Sequence, residues 1–502
     1  MTLLVEAPKS RCPERDYILG VLLGDFLGLP WRREETARQD LRITLDGHSG
    51  EIRLPDILFS VADAEWLTEA SMPRLPLARW DTRAFAKGII LVAPTVPMIY
   101  GGHPTHVEAQ LPGRSHTGHG PAFGNGRCLN AGEEAFAILE DGRVTLPIDI
   151  FGSAFFMLSR YEELVTPDRD EHDRFPAWAS LAYREGFLDR PIVDEYVEIL
   201  WSAMSMLWPR LERRARTPSV RVSHDVDRPS RYSFGPFRRF ARSVAGDVAK
   251  RRDLASPVHG LAARYSRSDR LHPADPYNTF DWLMDVSEAS GLQSAFYFIP
   301  GKTYAPHDPL YDMNDPKIRT LIRRIAERGH EVGLHPGYNT YRDPATLTAQ
   351  AKRLRKVCEQ EGVQQNEWGG RMHYLQWNAD TTPDAWERAG MTYDSTLGYA
   401  DHTGFRCGTS HDFHLYSWSD RRALTVAERP LIAMEGTVLS AKYMGLSETD
   451  DLRGHLSTLR SRCHQFNGPF NLLWHNSELV DSQSRLIYAE AVSANSPARL
   501  SS

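Results

Sequence analysis

The feature that most constrains the fold is a regular alternation of two kinds of segment in the C-terminal half. From residue 219 onward, short apolar runs typical of strands alternate with longer stretches whose apolar residues recur at helical spacing. Within 318–326, for example, the apolar residues all fall on one helix face. The candidate strands are SVRVSHD, SAFYFI, HEVGLH, EWGGR, LIAMEG and FNLLWH. Strands that alternate with helices predict a parallel sheet or barrel.

Polar side chains that can bind a metal stand where two of these candidate strands end. The first run ends in SHDVD, and residues i and i+2 of a strand point to the same face. Asp225 and Asp227 are therefore predicted to face one pocket. The third run ends at His335, which together with Asp227 offers the mixed nitrogen and oxygen ligation that zinc accepts. His330, five residues upstream, is interpreted as structural.

Two further candidate strands end in residues that can take part in acid–base catalysis, one by orienting a carboxylate and one as a proton donor. EWGGR ends at Arg371, which can orient a carboxylate through a charge-assisted hydrogen bond. FNLLWH ends at His475, a potential proton donor. Taken singly, each residue also fits an ordinary surface ion pair or a structural histidine. Their repeated placement at strand ends indicates one shared site, because the chemistry of such barrels lies at the carboxyl ends of the strands.

The order of these motifs resembles that of the polysaccharide deacetylase family, the NodB homology domain of carbohydrate esterase family four. SHDVD resembles its opening aspartate motif, HPGYN its histidine motif, RMHY its arginine motif, YDSTLGY a later aspartate motif and LLWHN the closing leucine–histidine motif. The resemblance covers 219–487. It implies an α/β chain whose residues 216–490 form a distorted (β/α) barrel. It also implies a metal-dependent hydrolase of non-peptide C–N bonds, which removes acetyl groups from an amino sugar or glycan in surface-polysaccharide biosynthesis.

The resemblance also implies a catalytic role for five residues. Asp225 corresponds to the base and Arg371 to the residue that orients it. His475 corresponds to the acid, with Asp394 as its support. A backbone N–H near Tyr374 is expected to stabilise the oxyanion.

The expected metal site departs from the family pattern at one position. The resemblance implies a divalent ion, zinc in the first place, held by Asp227 and His335. Asn339 stands where the family has its second histidine, and an amide oxygen is a weaker ligand than imidazole. Asn339 is the predicted third ligand, with Glu435 and His373 as alternatives. Two other functions remain open: a different amide hydrolase on the same barrel, or a glycan-binding protein whose metal site has decayed.

Residues 1–215 are predicted to form a smaller α+β domain of unknown role. RITLDGHSGEIRLPDILF alternates like paired strands, and VDEYVEILWSAMSMLW has helix-spaced apolar residues. The region resembles the accessory domain found ahead of some cytoplasmic family members. A glycine-rich loop holds His103, His106, His116 and His119, for which a solvated loop is favoured over a metal site. Residues 491–502 are predicted to be a disordered tail.

The segment 228–270 carries eleven Lys or Arg against three acidic residues. This excess predicts contact with a nucleotide-sugar, a lipid-linked glycan or a membrane surface, with a solvated basic helix as the alternative. The net charge of −6 argues against nucleic acid as a partner. Five scattered cysteines and the lack of an apolar signal stretch predict a cytoplasmic protein.

Overall fold

The computed structural model describes residues 1–85, 89–101, 139–140, 142–446 and 449–493. The four histidines of the glycine-rich loop and residues 494–502 of the predicted tail lie outside the described residues. The tail predicted from residue 491 begins too early, because residues 491 and 492 belong to the helix Ser482–Val492. The chain forms two compact units. Unit 1 comprises Met1–Pro167, Leu181–Phe187 and Ile192–Ala215, and unit 2 comprises Asp168–Ser180, Leu188–Pro191 and Arg216–Ser502.

Unit 1 is built on a mixed sheet of six strands with a separate hairpin. Its strands are β1 Leu3–Pro8, β2 Trp31–Thr36, β3 Asp40–Leu45, β4 Glu51–Pro55, β5 Arg79–Asp81, β6 Thr95–Pro97, β7 Leu139–Glu140 and β8 Arg143–Thr145. The sheet order is β2-β1-β3-β4-β8-β7, and β5 pairs with β6. The predicted pairing of strands is confirmed, because β3 and β4 run antiparallel with every second side chain buried.

Helices account for most of the remaining core of unit 1. They span Cys12–Leu19, Ile150–Leu158, Tyr161–Val165, Leu181–Arg184 and Ile192–Leu207, with a π-helical stretch at Gly20–Phe26. Ile150–Leu158 is buried along its whole length, which explains its unbroken apolar sequence. The predicted helix in VDEYVEILWSAMSMLW is the Ile192–Leu207 helix.

Unit 2 contains a five-stranded parallel sheet and a second, smaller sheet. Its strands are β9 Ser219–Val226, β10 Ser294–Phe298, β11 Glu331–Leu334, β12 Tyr393–Asp394, β13 Phe413–Ser417, β14 Arg422–Glu428, β15 Ala433–Met434 and β16 Pro469–Leu473. The parallel sheet has the order β11-β10-β9-β16-β15, and the smaller one β12-β14-β13. The strands β10 and β16 are buried throughout, as expected for parallel strands covered on both faces. The mixed α/β class and the parallel sheet are confirmed, whereas these pairings do not confirm closure into a barrel.

The candidate strand EWGGR forms only a short bridge to the edge of this sheet. The Leu334 N–H donates to the Gly369 carbonyl at 2.8 Å, and the Arg371 N–H donates to the Leu334 carbonyl at 2.9 Å. A Cβ on Gly370 would lie 1.8 Å from the Leu334 carbonyl oxygen, so only glycine permits this approach. The close approach carries Arg371 to the end of β11.

Nine described helices surround the sheets of unit 2. They span Phe237–Arg251, Ser256–Tyr265, Phe280–Ala289, Pro316–Glu327, Pro344–Gln360, Thr382–Arg388, Glu435–Leu439, Thr449–Gln465 and Ser482–Val492. The predicted helix over 318–326 is confirmed. Asp315 caps its N-terminus, and Gly329, with φ of +78°, follows its end. None of the helices in the described ranges has the length and apolar character needed to cross a bilayer.

Candidate metal centre

The carboxyl ends of three strands of the parallel sheet bring the predicted polar residues together. The strand β9 carries Asp225 and is followed by Asp227, β11 is followed by His335, and β16 is followed two residues later by His475. Parallel strands end on the same edge of a sheet, so side chains from distant parts of the chain meet there. Arg371 reaches the same edge through its bridge to β11.

Asp227, His335 and His373 present three potential ligand atoms within 4.8 Å of one another. The Nε2 atoms of His335 and His373 lie 3.3 Å and 3.6 Å from Oδ1 of Asp227. This buried oxygen has no hydrogen-bond partner among the described residues. Burial would raise the pKa of Asp227, but the charge of His373 and the contact with His335 outweigh it and hold that pKa well below its usual range. One carboxylate and two imidazoles suit a divalent cation such as zinc, so these residues fit the expected metal.

His335 is held in one orientation by the backbone of Arg371. Its Nδ1 lies 2.6 Å from the Arg371 carbonyl oxygen, which can only accept a hydrogen bond. The Nδ1–H therefore donates to this carbonyl, and Nε2 is the nitrogen turned toward Asp227.

His373 lies between two carboxylates. Its Nδ1 is 3.6 Å from Oδ1 of Asp308, on the side of the ring away from Asp227. Asp308 accepts backbone N–H groups from Tyr304 at 2.5 Å and Tyr338 at 2.8 Å. Burial lowers the pKa of His373, but Asp227 and then Asp308 outweigh it and raise that pKa to about 9. Asp308 is thus a fixed anion that supports the orientation of His373.

Asn339, the predicted third ligand, faces another part of unit 2. It lies in the turn Tyr338–Arg342, where it is exposed. Its N–H donates to Oγ1 of Thr303 at 2.9 Å, and its side-chain amide donates to the Thr303 carbonyl at 3.4 Å. These bonds direct the amide to the Thr303 loop. The ligand atom beside Asp227 belongs instead to His373, one of the two alternatives considered from the sequence.

Asp225 and Arg371 form a buried ion pair next to the metal-binding group. Nη1 of Arg371 donates to Oδ1 of Asp225 at 2.9 Å. The other donors of Arg371 reach Ser395, at 2.7 Å to its carbonyl and 3.0 Å to its hydroxyl. Oδ2 of Asp225 lies 3.6 Å from Nε2 of His335. Arg371 therefore hydrogen-bonds to one carboxylate oxygen of Asp225, and the other oxygen lies beside the metal-binding group. This arrangement agrees with the orienting role predicted for Arg371.

His475 is supported by Glu435 in place of the predicted Asp394. Nδ1 of His475 makes a short hydrogen bond to Glu435, which begins the helix Glu435–Leu439 and is buried. Nε2 of His475 lies 3.8 Å from Oδ2 of Asp227. Burial lowers the pKa of His475, but Glu435 and then Asp227 outweigh it and raise that pKa to about 10. Its position at a strand end makes Glu435 visible in the sequence, but the motif order predicts it only as an alternative metal ligand.

Asp394 belongs to a separate buried acid pair. It accepts the Thr396 hydroxyl at 2.5 Å and interacts with Glu428, whose carboxylate accepts the Leu397 N–H at 2.9 Å. Burial raises the pKa of Asp394 to about 7 and that of Glu428 well above its usual range. The positive charge of Arg371 acts against the shift in Asp394. Asp394 therefore influences the site through Arg371.

Tyr374 occupies a strained turn next to His373. Its backbone has φ of +60°, which is uncommon for a residue with a side chain. Its hydroxyl lies 3.0 Å from Nδ1 of His307, and its carbonyl accepts a hydrogen bond from Arg174 at 2.9 Å. These contacts fix the segment that carries His373. The expected use of a backbone N–H near Tyr374 in oxyanion binding stays a prediction.

Comparison with known proteins gives a family-model match in the N-terminal region and a distant structural likeness. Residues 3–209 match the model of a family of unknown function, DUF7033. No curated protein matches the sequence. A crystal structure of a candidate polysaccharide deacetylase from Mycobacterium smegmatis aligns with a TM-score of 0.34 and 16% identity, over 56% of this chain and 84% of that one. This likeness is too distant to carry an argument, so the functional interpretation rests on the site itself.

Proposed function

We propose that unit 2 is a metal-dependent deacetylase acting on an acetylated amino sugar or glycan. The observation that carries the proposal is the arrangement around Asp227. A group of three potential metal ligands is flanked by the ion-paired carboxylate of Asp225 and by the imidazole of His475. Hydrolysis of an acetyl amide needs a base for the attacking water and an acid for the departing amine, next to a Lewis acid.

Asp225 is suited to the role of the base. Its Oδ1 is held by Arg371, so Oδ2 is the oxygen available to take a proton from a water molecule. That oxygen lies beside His335, next to the metal-binding group. A divalent cation held by Asp227, His335 and His373 would supply Lewis acidity toward the acetyl carbonyl.

His475 is suited to the role of the acid. Glu435 accepts the Nδ1 hydrogen, which leaves the Nε2–H directed toward Asp227. With a pKa near 10, the ring carries its proton at neutral pH. The water oxygen bonds to the acetyl carbon as Asp225 takes one of its protons, and as the C–N bond breaks His475 gives its proton to the amine nitrogen. The products are a free amine and acetic acid, which releases its proton to solvent as acetate; passage of the Asp225 proton to His475 then restores both residues.

Acetate release tests the proposal. Wild-type protein with and without zinc is compared with Asp225→Asn on N-acetylglucosamine oligomers and on acetamide. We expect zinc-dependent release from the sugars that falls by about 10²–10⁴-fold in Asp225→Asn, the usual contribution of a general base. Release from acetamide alone would favour a general amide hydrolase. Release that survives both chelation and Asp225→Asn would refute the proposal.

A matched control is available in unit 1. Asp56 is also a buried carboxylate bound to an arginine, with Arg15 donating to its two oxygens at 2.7 Å and 2.6 Å. Asp56→Asn disturbs a buried ion pair without touching the proposed site. We expect it to keep wild-type acetate release, which separates loss of the base from a general cost of breaking such a pair.

A further inference from the structure

A cavity of about 310 Å³ adjoins the candidate metal centre within unit 2. At one end it is lined by Asp227, His373 and Tyr374. Three arginines also line it, all from the basic segment that follows β9: Arg228, Arg231 and Arg239. This volume is at the lower end of the range for ligand pockets. A substrate bound at the metal-binding group would therefore lie next to a cavity with positively charged walls.

Arg231 is a structural member of the cavity wall. Its guanidinium donates to both carboxylate oxygens of Asp247, at 2.6 Å and 2.5 Å, and to the Tyr277 hydroxyl at 2.7 Å. Asp247 is buried, and Arg231 balances its negative charge. Arg231 thereby ties the loop after β9 to the helix Phe237–Arg251, and its charge is already neutralised.

A second buried carboxylate fixes the same loop. Asp275 accepts the backbone N–H groups of Arg231 and Tyr277, at 2.9 Å and 3.0 Å, and the hydroxyl of Ser230. The wall is thus bound at several points to buried acids. A cavity with a pre-organised wall pays less entropy when a ligand binds.

Arg228 and Arg239 differ from Arg231 in having no acidic partner among the described residues. Both are exposed to solvent. Both line the same cavity, so two like charges without an acidic partner face one ligand space. The carboxylates on the wall are committed elsewhere, because Asp227 belongs to the metal-binding group and Asp308 is enclosed by backbone N–H groups.

We propose that Arg228 and Arg239 bind a phosphate of the substrate, which makes the substrate an acetylated sugar linked to a phosphate or diphosphate. The inference rests on the proposed function and adds the substrate class. A guanidinium presents paired N–H donors that match phosphate oxygens, and the two arginines together balance the charge of a phosphate. A neutral glycan would leave both charges unmatched. Nucleotide-linked and lipid-linked sugars share this chemistry.

Calorimetric binding of UDP and of inorganic phosphate tests the phosphate site without any turnover. The double variant Arg228→Gln/Arg239→Gln removes both charges. Arg238→Gln is the matched control, because Arg238 is exposed on the same helix but does not line the cavity. We expect UDP binding to weaken by about tenfold or more in the double variant and to stay unchanged in the control. Equal affinity of wild type and double variant would overturn the inference.

Acetate release distinguishes this inference from the proposed function. UDP-N-acetylglucosamine and a prenyl-diphosphate-linked N-acetylglucosamine are compared with free N-acetylglucosamine. A higher kcat/KM for either phosphorylated substrate, lost in the double variant, supports the phosphate site, and the better of the two identifies the carrier. Equal rates on all three, unaffected by the variant, refute the site but leave the deacetylase standing. Arginine-dependent UDP binding without acetate release from any substrate keeps the site and refutes the deacetylase.

Discussion

Replacing Arg371 alone should destabilise the protein more than replacing Arg371 together with Asp225, its partner in the buried ion pair. In Arg371→Met the carboxylate of Asp225, which is only 4% exposed, is left without its counter-ion. Breaking one side of a buried ion pair typically costs about 3–5 kcal/mol, whereas replacing both partners is often close to neutral. The double variant Arg371→Met/Asp225→Asn should therefore be more stable than Arg371→Met.

The contacts of Arg371 set the size of the effect. Besides its bond to Asp225, the side chain donates two hydrogen bonds to Ser395, each worth about 1 kcal/mol. We expect Arg371→Met to lose about 4–5 kcal/mol. Asp225→Asn should lose about 3 kcal/mol, at the lower end of the range for a broken buried ion pair, because it leaves the buried Arg371 without its counter-ion but keeps the bonds to Ser395. The double variant should lose about 2 kcal/mol, since it lacks those bonds but holds no unpaired charge.

Urea unfolding of the four proteins, followed by circular dichroism and tryptophan fluorescence, measures this coupling. The same cycle on Arg15 and Asp56 in unit 1, whose side chains are 1% and 0% exposed, is the control and should give a coupling of the same sign. A loss below about 1 kcal/mol in Arg371→Met would refute the reasoning. So would a double variant that loses as much as the two single variants combined.

Three further substitutions test the surroundings of the site. Asp308→Asn should weaken zinc binding by about 10–100-fold in chelator competition, because Asp308 supports His373; unchanged affinity would contradict this. Burial raises the pKa of Asp394 to about 7, whereas an unfolded aspartate ionises near 4, so wild type should lose stability relative to Asp394→Asn as the pH rises from about 4 to 7. If the difference in urea midpoint between wild type and Asp394→Asn does not change with pH, the pKa of Asp394 is not raised in the folded protein. Gly370→Ala should lower the melting temperature, because its Cβ would lie 1.8 Å from a backbone oxygen. Gly246→Ala is the control and should raise the melting temperature, because Gly246 lies on a helix with open space around it. Equal shifts in the two variants would show that the backbone at Gly370 adapts.

The periodic part of the fold could be predicted because it is encoded locally. Five of the six candidate strands lie in the parallel sheet, and most of the apolar residues in these strands are buried. EWGGR differs because its two glycines give the chain a close approach to β11 but no side chains to pack. In the small sheet, β13 and β14 are consecutive strands that pair antiparallel, but β12 pairs with β14 across a long stretch of chain, which local periodicity does not encode.

Residues at strand ends could be assigned to the candidate site from the sequence, whereas residues in the turns beyond the strands could not. The structure brings together five residues that the sequence placed at or just after strand ends: Asp225, Asp227, His335, Arg371 and His475. Asn339 lies four residues beyond the strand end at His335, and its hydrogen bonds to Thr303 determine where its side chain points. The choice of Glu435 as the partner of His475 likewise depends on a contact between two segments that are distant in sequence.

Arg371 links the proposed base and one metal ligand through different parts of the same residue. Its guanidinium holds Asp225, and its carbonyl oxygen holds His335 through Nδ1. Substituting the side chain removes the first contact but leaves the second, because the carbonyl belongs to the backbone. Arg371→Met should therefore lose turnover while zinc affinity stays near the wild-type value. Loss of both together would mean that the guanidinium, through Ser395, also fixes the backbone on which His335 depends.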